Sequence, residues 1–279
     1  MDEFGVVVVL FLISGLSYVI ALILVKPACG LLARGGLRAK NFRHVFIPTG
    51  VGIVLPLASL VPIGIFGSPP QSSLWLFILF GVAMLGLVDD VAGKGEHGGF
   101  TSHLRALRRG TLTTGSVKAL FGGGVALYAG WMLHGSALPA ALAGGVIALS
   151  TNAVNLLDLR PGRAIKGAML LSVAGLIALT FAGSPVAEAW QSALLAAAPL
   201  GAGVALLWGD LRARFMIGDT GANTLGISAG MILALLPYFL QGVALLVLVL
   251  IHAISERRSL SSLIETTPIL KWLDDLGRG

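Results

Sequence analysis

The chain has 279 residues, 56% of them hydrophobic and 11% charged, with a mean hydropathy of +0.91. A soluble domain carries roughly 25% charged residues, so a soluble Rossmann enzyme, a disordered tail and a coiled coil are excluded in favour of an integral membrane protein. Net charge is +6, from 19 Lys+Arg against 13 Asp+Glu. The lone Cys29 has no disulfide partner and no metal-ligand spacing, and reads as a small buried residue. The 38 glycines suit close helix–helix packing.

Crossing a bilayer takes about 20 apolar residues, so stretches free of Asp, Glu, Lys and Arg mark the spans. They are Phe4–Val25, Val45–Val88, Ala119–Leu157, Gly167–Ala187, Ala189–Gly209 and Thr220–Ser255. The three long stretches carry turn signals at Gly67-Ser68-Pro69-Pro70, His134-Gly135-Ser136 and Pro237 with Gln241-Gly242. Each is a predicted helical hairpin. The expected fold class is therefore all-α, a polytopic membrane helix bundle of about nine transmembrane helices.

All 19 basic residues fall on one set of connections, ending in the tail with Arg257, Arg258, Lys271 and Arg278. The opposite face holds Asp2, Glu3 and Glu188 as its charges. By the positive-inside rule the N-terminus is outside and the C-terminus cytoplasmic. Met1-Asp2-Glu3 lacks the positive start of a cleaved signal peptide, so the first helix is expected to remain. Residues 1–255 form the expected transmembrane domain with its loops, and residues 256–279 a cytoplasmic tail. The tail approximates an amphipathic pattern that suits the inner leaflet, although Thr266-Thr267-Pro268 interrupts it and disorder is the alternative. Asp274 reads as a solvated tail carboxylate.

Several polar groups stand at the cytoplasmic ends of the spans. Asp89 and Asp90 directly follow an apolar run. Adjacent carboxylates at the negative end of a helix repel, which a divalent cation would relieve; two solvated end residues are the plainer alternative. Asn152, Asn155 and Asp158 recur at i, i+3 and i+6, a broad helix face suited to a polar ligand or to helix–helix hydrogen bonds. Arg160, Arg163 and Lys166 follow, suited to phosphate and equally explained by topology. In Gly218-Asp219-Thr220-Gly221 the glycines permit close approach at a helix start; a simple N-cap is the alternative. Pro48-Thr49-Gly50-Val51-Gly52, preceded by Lys40, Arg43 and His44, is a further glycine loop on that side.

In order and spacing, Gly86-Leu87-Val88-Asp89-Asp90, Asn152 to Asp158 and Gly218-Asp219-Thr220-Gly221 resemble the polyprenyl-phosphate N-acetylhexosamine-1-phosphate transferases of bacterial cell-envelope synthesis. Pro48–Gly52 is similar to that family's early proline–glycine loop. The resemblance implies transfer of a sugar-1-phosphate from a UDP-sugar to polyprenyl (undecaprenyl) phosphate in the bacterial cytoplasmic membrane, with release of UMP, to initiate an envelope glycan. It implies Mg2+, with Mn2+ as the alternative, held by Asp219 with Asp90. Asp89, Asp90 and Asp158 become the catalytic candidates. Lys40, Arg43, His103, Arg105, Asn152, Asn155, Arg160 and Arg163 become the substrate-binding candidates. The expected partners are the lipid phosphate, the UDP-sugar and the membrane, with a homodimer as one oligomeric expectation and no nucleic acid.

The chain departs from the family pattern in several places. Pro161 stands where a second aspartate is often found, which bears on recognition of the base, and Ser255-Glu256-Arg257-Arg258 replaces a histidine cluster. An inactive relative serving as a scaffold and a lipid or ion transporter are the rival readings. Transport favours polar groups at the bilayer midplane, whereas the ionisable groups here gather at helix ends. A CDP-alcohol phosphotransferase is disfavoured because its D-G-x-x-A-R signature is absent.

Overall fold

A computed structural model of the chain describes residues 3–92, 114–182 and 187–278. Among the described residues, nine helices lie along the six predicted stretches: α1 (Glu3–Arg34), α2 (Val54–Phe66), α3 (Gln71–Ala92), α4 (Thr114–His134), α5 (Ala137–Leu157), α6 (Arg163–Phe181), α7 (Ala187–Leu211), α8 (Gly218–Leu233) and α9 (Tyr238–Arg257). The first two turn signals separate α2 from α3 and α4 from α5, and Pro237 separates α8 from α9, whereas Gln241-Gly242 lies inside α9. Two short helices, α10 (Leu260–Thr266) and α11 (Pro268–Asp275), make up the tail.

Six helices are long and apolar enough to cross a membrane: those within Gly5–Arg34, Gln71–Ala92, Ala137–Leu157, Arg163–Phe181, Gln191–Leu211 and Tyr238–Arg257. Two others are shorter, α2 with 13 residues and α8 with 16. At about 1.5 Å per residue neither alone matches a hydrocarbon layer of about 30 Å. Position explains α8: fifteen of its sixteen residues are buried, so neighbouring helices rather than lipid surround it.

Glycine makes that central placement possible. A Cβ on Gly226 would come within 2.6 Å of the Thr151 Cα, and one on Gly230 within 2.8 Å of the Ile147 Cα. The backbones of α5 and α8 thus touch, running antiparallel. On other sides, a Cβ on Gly86 of α3 would lie 2.5 Å from the Asp219 carbonyl, and one on Gly175 of α6 would lie 2.9 Å from Ile232. Small residues where backbones meet are the usual currency of membrane packing, where apolarity alone does not drive helices together.

One departure from an all-helical chain is a two-stranded hairpin, β1 (Arg38–Lys40) and β2 (Phe46–Pro48), paired antiparallel with Arg38 opposite Pro48. Its turn is locally encoded: the Asn41 carboxamide oxygen accepts the Arg43 and Val45 N–H groups at 2.9 and 3.0 Å, and His44 takes a left-handed φ of 59°.

Candidate functional site

The site is organised by the start of α8. Gly218 has φ +67°, and a Cβ there would sit 2.6 Å from the Asp90 carboxylate, so only glycine fits both the conformation and the space. This lets the α8 N-terminus face the end of α3. Asp90 accepts hydrogen bonds from the Asp219 N–H at 3.0 Å, the Thr220 N–H at 3.1 Å and the Thr220 hydroxyl at 2.6 Å. The carboxylate sits at the positive end of the α8 dipole. The repulsion expected between Asp89 and Asp90 is therefore relieved, on the Asp90 side, by the protein's own helix terminus.

The glycine loop joins them. The Met216 N–H donates to the Pro48 carbonyl at 2.8 Å, the Val51 N–H to the Met216 carbonyl at 3.2 Å and the Gly52 N–H to the Ile217 carbonyl at 3.0 Å. Gly50, at φ +73°, is close enough that a Cβ would touch the Asp90 Oδ2 at 3.4 Å. Gly52 lies directly against Gly221. Segments 48–52, 86–90 and 216–221, remote in sequence, thus form one continuous structure.

α5 enters through its register with α8. With Thr151 against Gly226 and Ile147 against Gly230, the antiparallel pairing carries Asn155 level with Ala222 and Asp158, which caps α5, level with Asp219. Asp89, Asp158, Asp219 and Asn155 are half-buried, and Asn152 is exposed. The expected Asn152–Asn155–Asp158 face is therefore split, with Asn155 and Asp158 on the α8 side.

The basic candidates are more dispersed. Lys40 and Arg43 are exposed on the hairpin, over the rings of Phe46 and Phe42 at 5.4 and 5.1 Å. Arg160 is exposed and pairs with Glu265 at 3.5 Å. Arg163 is buried instead, its Nε and Nη2 gripping Asp274 at 2.8 and 2.7 Å while its Nη1 donates to the Ser261 hydroxyl. His103 and Arg105 lie outside the described residues.

Two features escaped the sequence reading. Asp210, 3% exposed at the end of α7, accepts the Gly162 N–H at 2.6 Å and the Ile217 N–H at 3.4 Å. It ties the loop after Asp158 to the loop before Asp219. Its position at the end of an apolar run is the signal that singled out Asp89 and Asp158, and would have found it. The second is the tail. Asp274 is 8% exposed, held between Arg163 and Arg278, rather than solvated as expected. Burial alone would raise its pKa, but the hydrogen bonds and charges of Arg163 and Arg278 outweigh that and hold it below the ordinary value. Arg278 also donates to the Pro161 carbonyl at 2.8 and 3.0 Å, so Pro161 is one of the points at which the tail docks.

Among the described residues no group of three or more His, Cys, Asp or Glu side chains converges as a metal cage. No protein-family model matches the chain.

Proposed function

We propose that the chain transfers a sugar-1-phosphate from a UDP-sugar to a polyprenyl phosphate at the membrane surface where α8 begins. The observation that supports this is the meeting of Pro48–Gly52, Asp89–Asp90 and Gly218–Gly221 at one helix start, with Asp158 brought level by the α5 register. With the Asp219 and Thr220 N–H groups already held by Asp90, a diphosphate here would have its charge met by a cation on the neighbouring carboxylates and by basic side chains. In the transfer, a lipid phosphate oxygen bonds to the β-phosphorus, the bond from that phosphorus to the bridging oxygen breaks, and UMP leaves with the oxygen. The lipid phosphate is largely dianionic above a second pKa of about 6, so no side chain has to remove a proton first.

The carboxylates fit magnesium, which binds oxygen and is commonly held by one or two carboxylates plus substrate phosphates. Asp219 is the first ligand in this proposal. Asp90, whose carboxylate caps α8, is the second ligand in this proposal, and Asp89 stands beside it. Magnesium would neutralise the diphosphate and the charge growing on the departing UMP. The chain's own groups then divide the remaining work. Asp90 holds the α8 terminus in place, Asn155 and Asp158 contact the nucleotide-sugar, and Lys40, Arg43 and Arg160 draw phosphate to the surface.

The same proposal takes all nine helices α1–α9 as spans, places the N-terminus outside and the C-terminus in the cytoplasm, and locates the protein in a bacterial inner membrane. Reporter fusions after Gly110 and Gly279 should read cytoplasmic, and one after Ser136 external. A non-catalytic relative is the second reading, favoured by the internal use of two candidates, Asp90 as a helix cap and Arg163 as a tail clasp. Incubating purified protein with magnesium, undecaprenyl phosphate and a panel of UDP-sugars separates the two. Release of UMP with one donor, dependent on lipid and metal, is expected; no UMP with any donor would leave the second reading standing.

A further inference from the structure

Helix α11 has two unlike faces. At about 100° per residue, Ile269, Trp272, Leu273 and the following Leu276 fall on one stripe, and Asp274 lies across from it. Asp274 points into the protein, clasped by Arg163 and Arg278. The stripe therefore points away, with Ile269 72%, Trp272 64% and Leu276 47% exposed.

The depth of this stripe is set by Lys166. Its ammonium donates to the carbonyls of Leu273, Asp274 and Leu276 at 2.9, 2.6 and 3.1 Å. Lys166 lies on the first turn of α6 and is the last charge before the uncharged run that starts at Gly167. The tail is thus bound at the level where α6 enters its apolar stretch. One turn further along α6, Leu170 is 62% exposed and continues the apolar surface into the layer.

We propose that α11 lies in the membrane interface with Ile269, Trp272, Leu273 and Leu276 among the acyl chains of the leaflet adjoining the Asp219 loop. A bilayer is favoured over a soluble partner or a second copy because α11 is already clasped to its own chain through Asp274, at the height where lipid begins. Trp272 and Lys271 supply the aromatic and cationic side chains typical of that layer. The helix acts as a foot: one side rests on lipid and the other grips Arg163 through Asp274, while Arg278 just beyond it holds the Pro161 carbonyl. This is independent of the transferase proposal and needs no substrate.

The test uses the full chain in bilayers of phosphatidylethanolamine and phosphatidylglycerol. In a Cys29→Ala background, nitroxides are placed at Ile269→Cys, Trp272→Cys and Asp275→Cys, and their collisions with oxygen and with a water-soluble nickel chelate are measured. The oxygen-to-nickel ratio should be roughly threefold higher at 269 and 272 than at 275, as for an interfacial helix. Equal nickel access at all three sites would put the stripe in water, and shielding from both agents at 269 and 272 would put protein over it; either overturns the proposal. The unsubstituted protein gives a second measurement. A diazirine-bearing acyl chain should label the peptide spanning Ile269–Leu276, and labelling of α6 around Leu170 without labelling of that peptide would overturn it equally.

Discussion

Helices α8 and α9 are consecutive and both apolar, yet they occupy opposite environments. In α8, fifteen of sixteen residues are buried; in α9, only Gln241 and Leu248 of twenty are. Their sequences differ less in polarity than in size. α8 reads GDTGANTLGISAGMIL and α9 YFLQGVALLVLVLIHAISER. In a soluble protein the more apolar helix is expected inside. Here the helix rich in Gly, Ser, Thr and Ala is central and the one rich in Leu and Val is peripheral, because lipid solvates large aliphatic side chains well and backbone contact needs small ones.

The largest expected effect tests that contrast directly. Gly226→Leu drives a side chain into the α5 backbone, where even a Cβ would meet Thr151 at 2.6 Å. Overpacking of this kind commonly costs roughly 1–3 kcal/mol, and more where backbone itself must move. Loss of monodisperse protein on size-exclusion chromatography is expected. A normally eluting, thermally unchanged variant would mean α8 is not central.

The tail resembles α9 in exposure but is pinned like α8. Removing one partner of a buried ion pair costs roughly 3–5 kcal/mol. Because undocking lets Arg163 and Arg278 reach water, Asp274→Ala should weaken tail docking by about 3 kcal/mol, the low end of that range. Proteolysis after Arg258 should quicken accordingly. The pH dependence follows from the sign of the shift. The folded-state pKa of Asp274 is lowered, so its contribution is fully present above the unfolded value of about 3.9 and is lost as pH falls through the folded value. Tail protection should be flat through neutral pH and fail only in stronger acid. Failure near pH 6 would contradict the clasp.

On the proposed transferase reading, Asp219→Asn at the α8 start should lower UMP formation by about 100-fold, the scale of removing one element of transition-state charge stabilisation. It should also raise the magnesium needed for half-maximal rate. Normal turnover at low magnesium in folded protein would remove Asp219 from the site.

Asp210→Asn keeps the shape but leaves one acceptor oxygen where two carboxylate oxygens take the Gly162 and Ile217 N–H groups, so one of these N–H groups faces the amide NH2. A loss of roughly 1–3 kcal/mol in thermal stability is expected, the cost of a buried donor left without an acceptor. Glutamate at the same position should not rescue, since Oδ2 has only 2.6 Å to the Gly162 nitrogen. The smallest effect belongs to the rim. Gly242→Ala on α9, where a Cβ meets nothing within 4 Å, should be neutral or stabilise by about 0.5–1 kcal/mol through helix propensity. Marked destabilisation would show that α9 has an unseen neighbour.

These positions mark what the sequence made legible. The helices could be placed because charge-free runs and turn residues at Gly67–Pro70, Gly135 and Pro237 are local signals. The meeting of Asp90 with Asp219 was approachable because both stand at boundaries on one side. What stayed hidden is long-range. Arg163 and Asp274 are 111 residues apart, and no spacing rule links them. Arg163 was indistinguishable from Arg160 until its burial was known. Asn152 fell off the expected face because α8 packs on one side of α5, and an i, i+3, i+6 pattern does not say which side that is.

The glycine contacts between α5 and α8 also act as a reading frame. A residue added to α5 after Thr151 turns all that follows by about 100° and slides it about 1.5 Å, carrying Asn155 and Asp158 away from Ala222 and Asp219. Added residues are therefore expected to be tolerated in phase rather than in proportion: one or two should be more harmful than the three or four that complete a turn. Chain length in this segment is then constrained modulo the helical repeat, a requirement that no composition of side chains can relax.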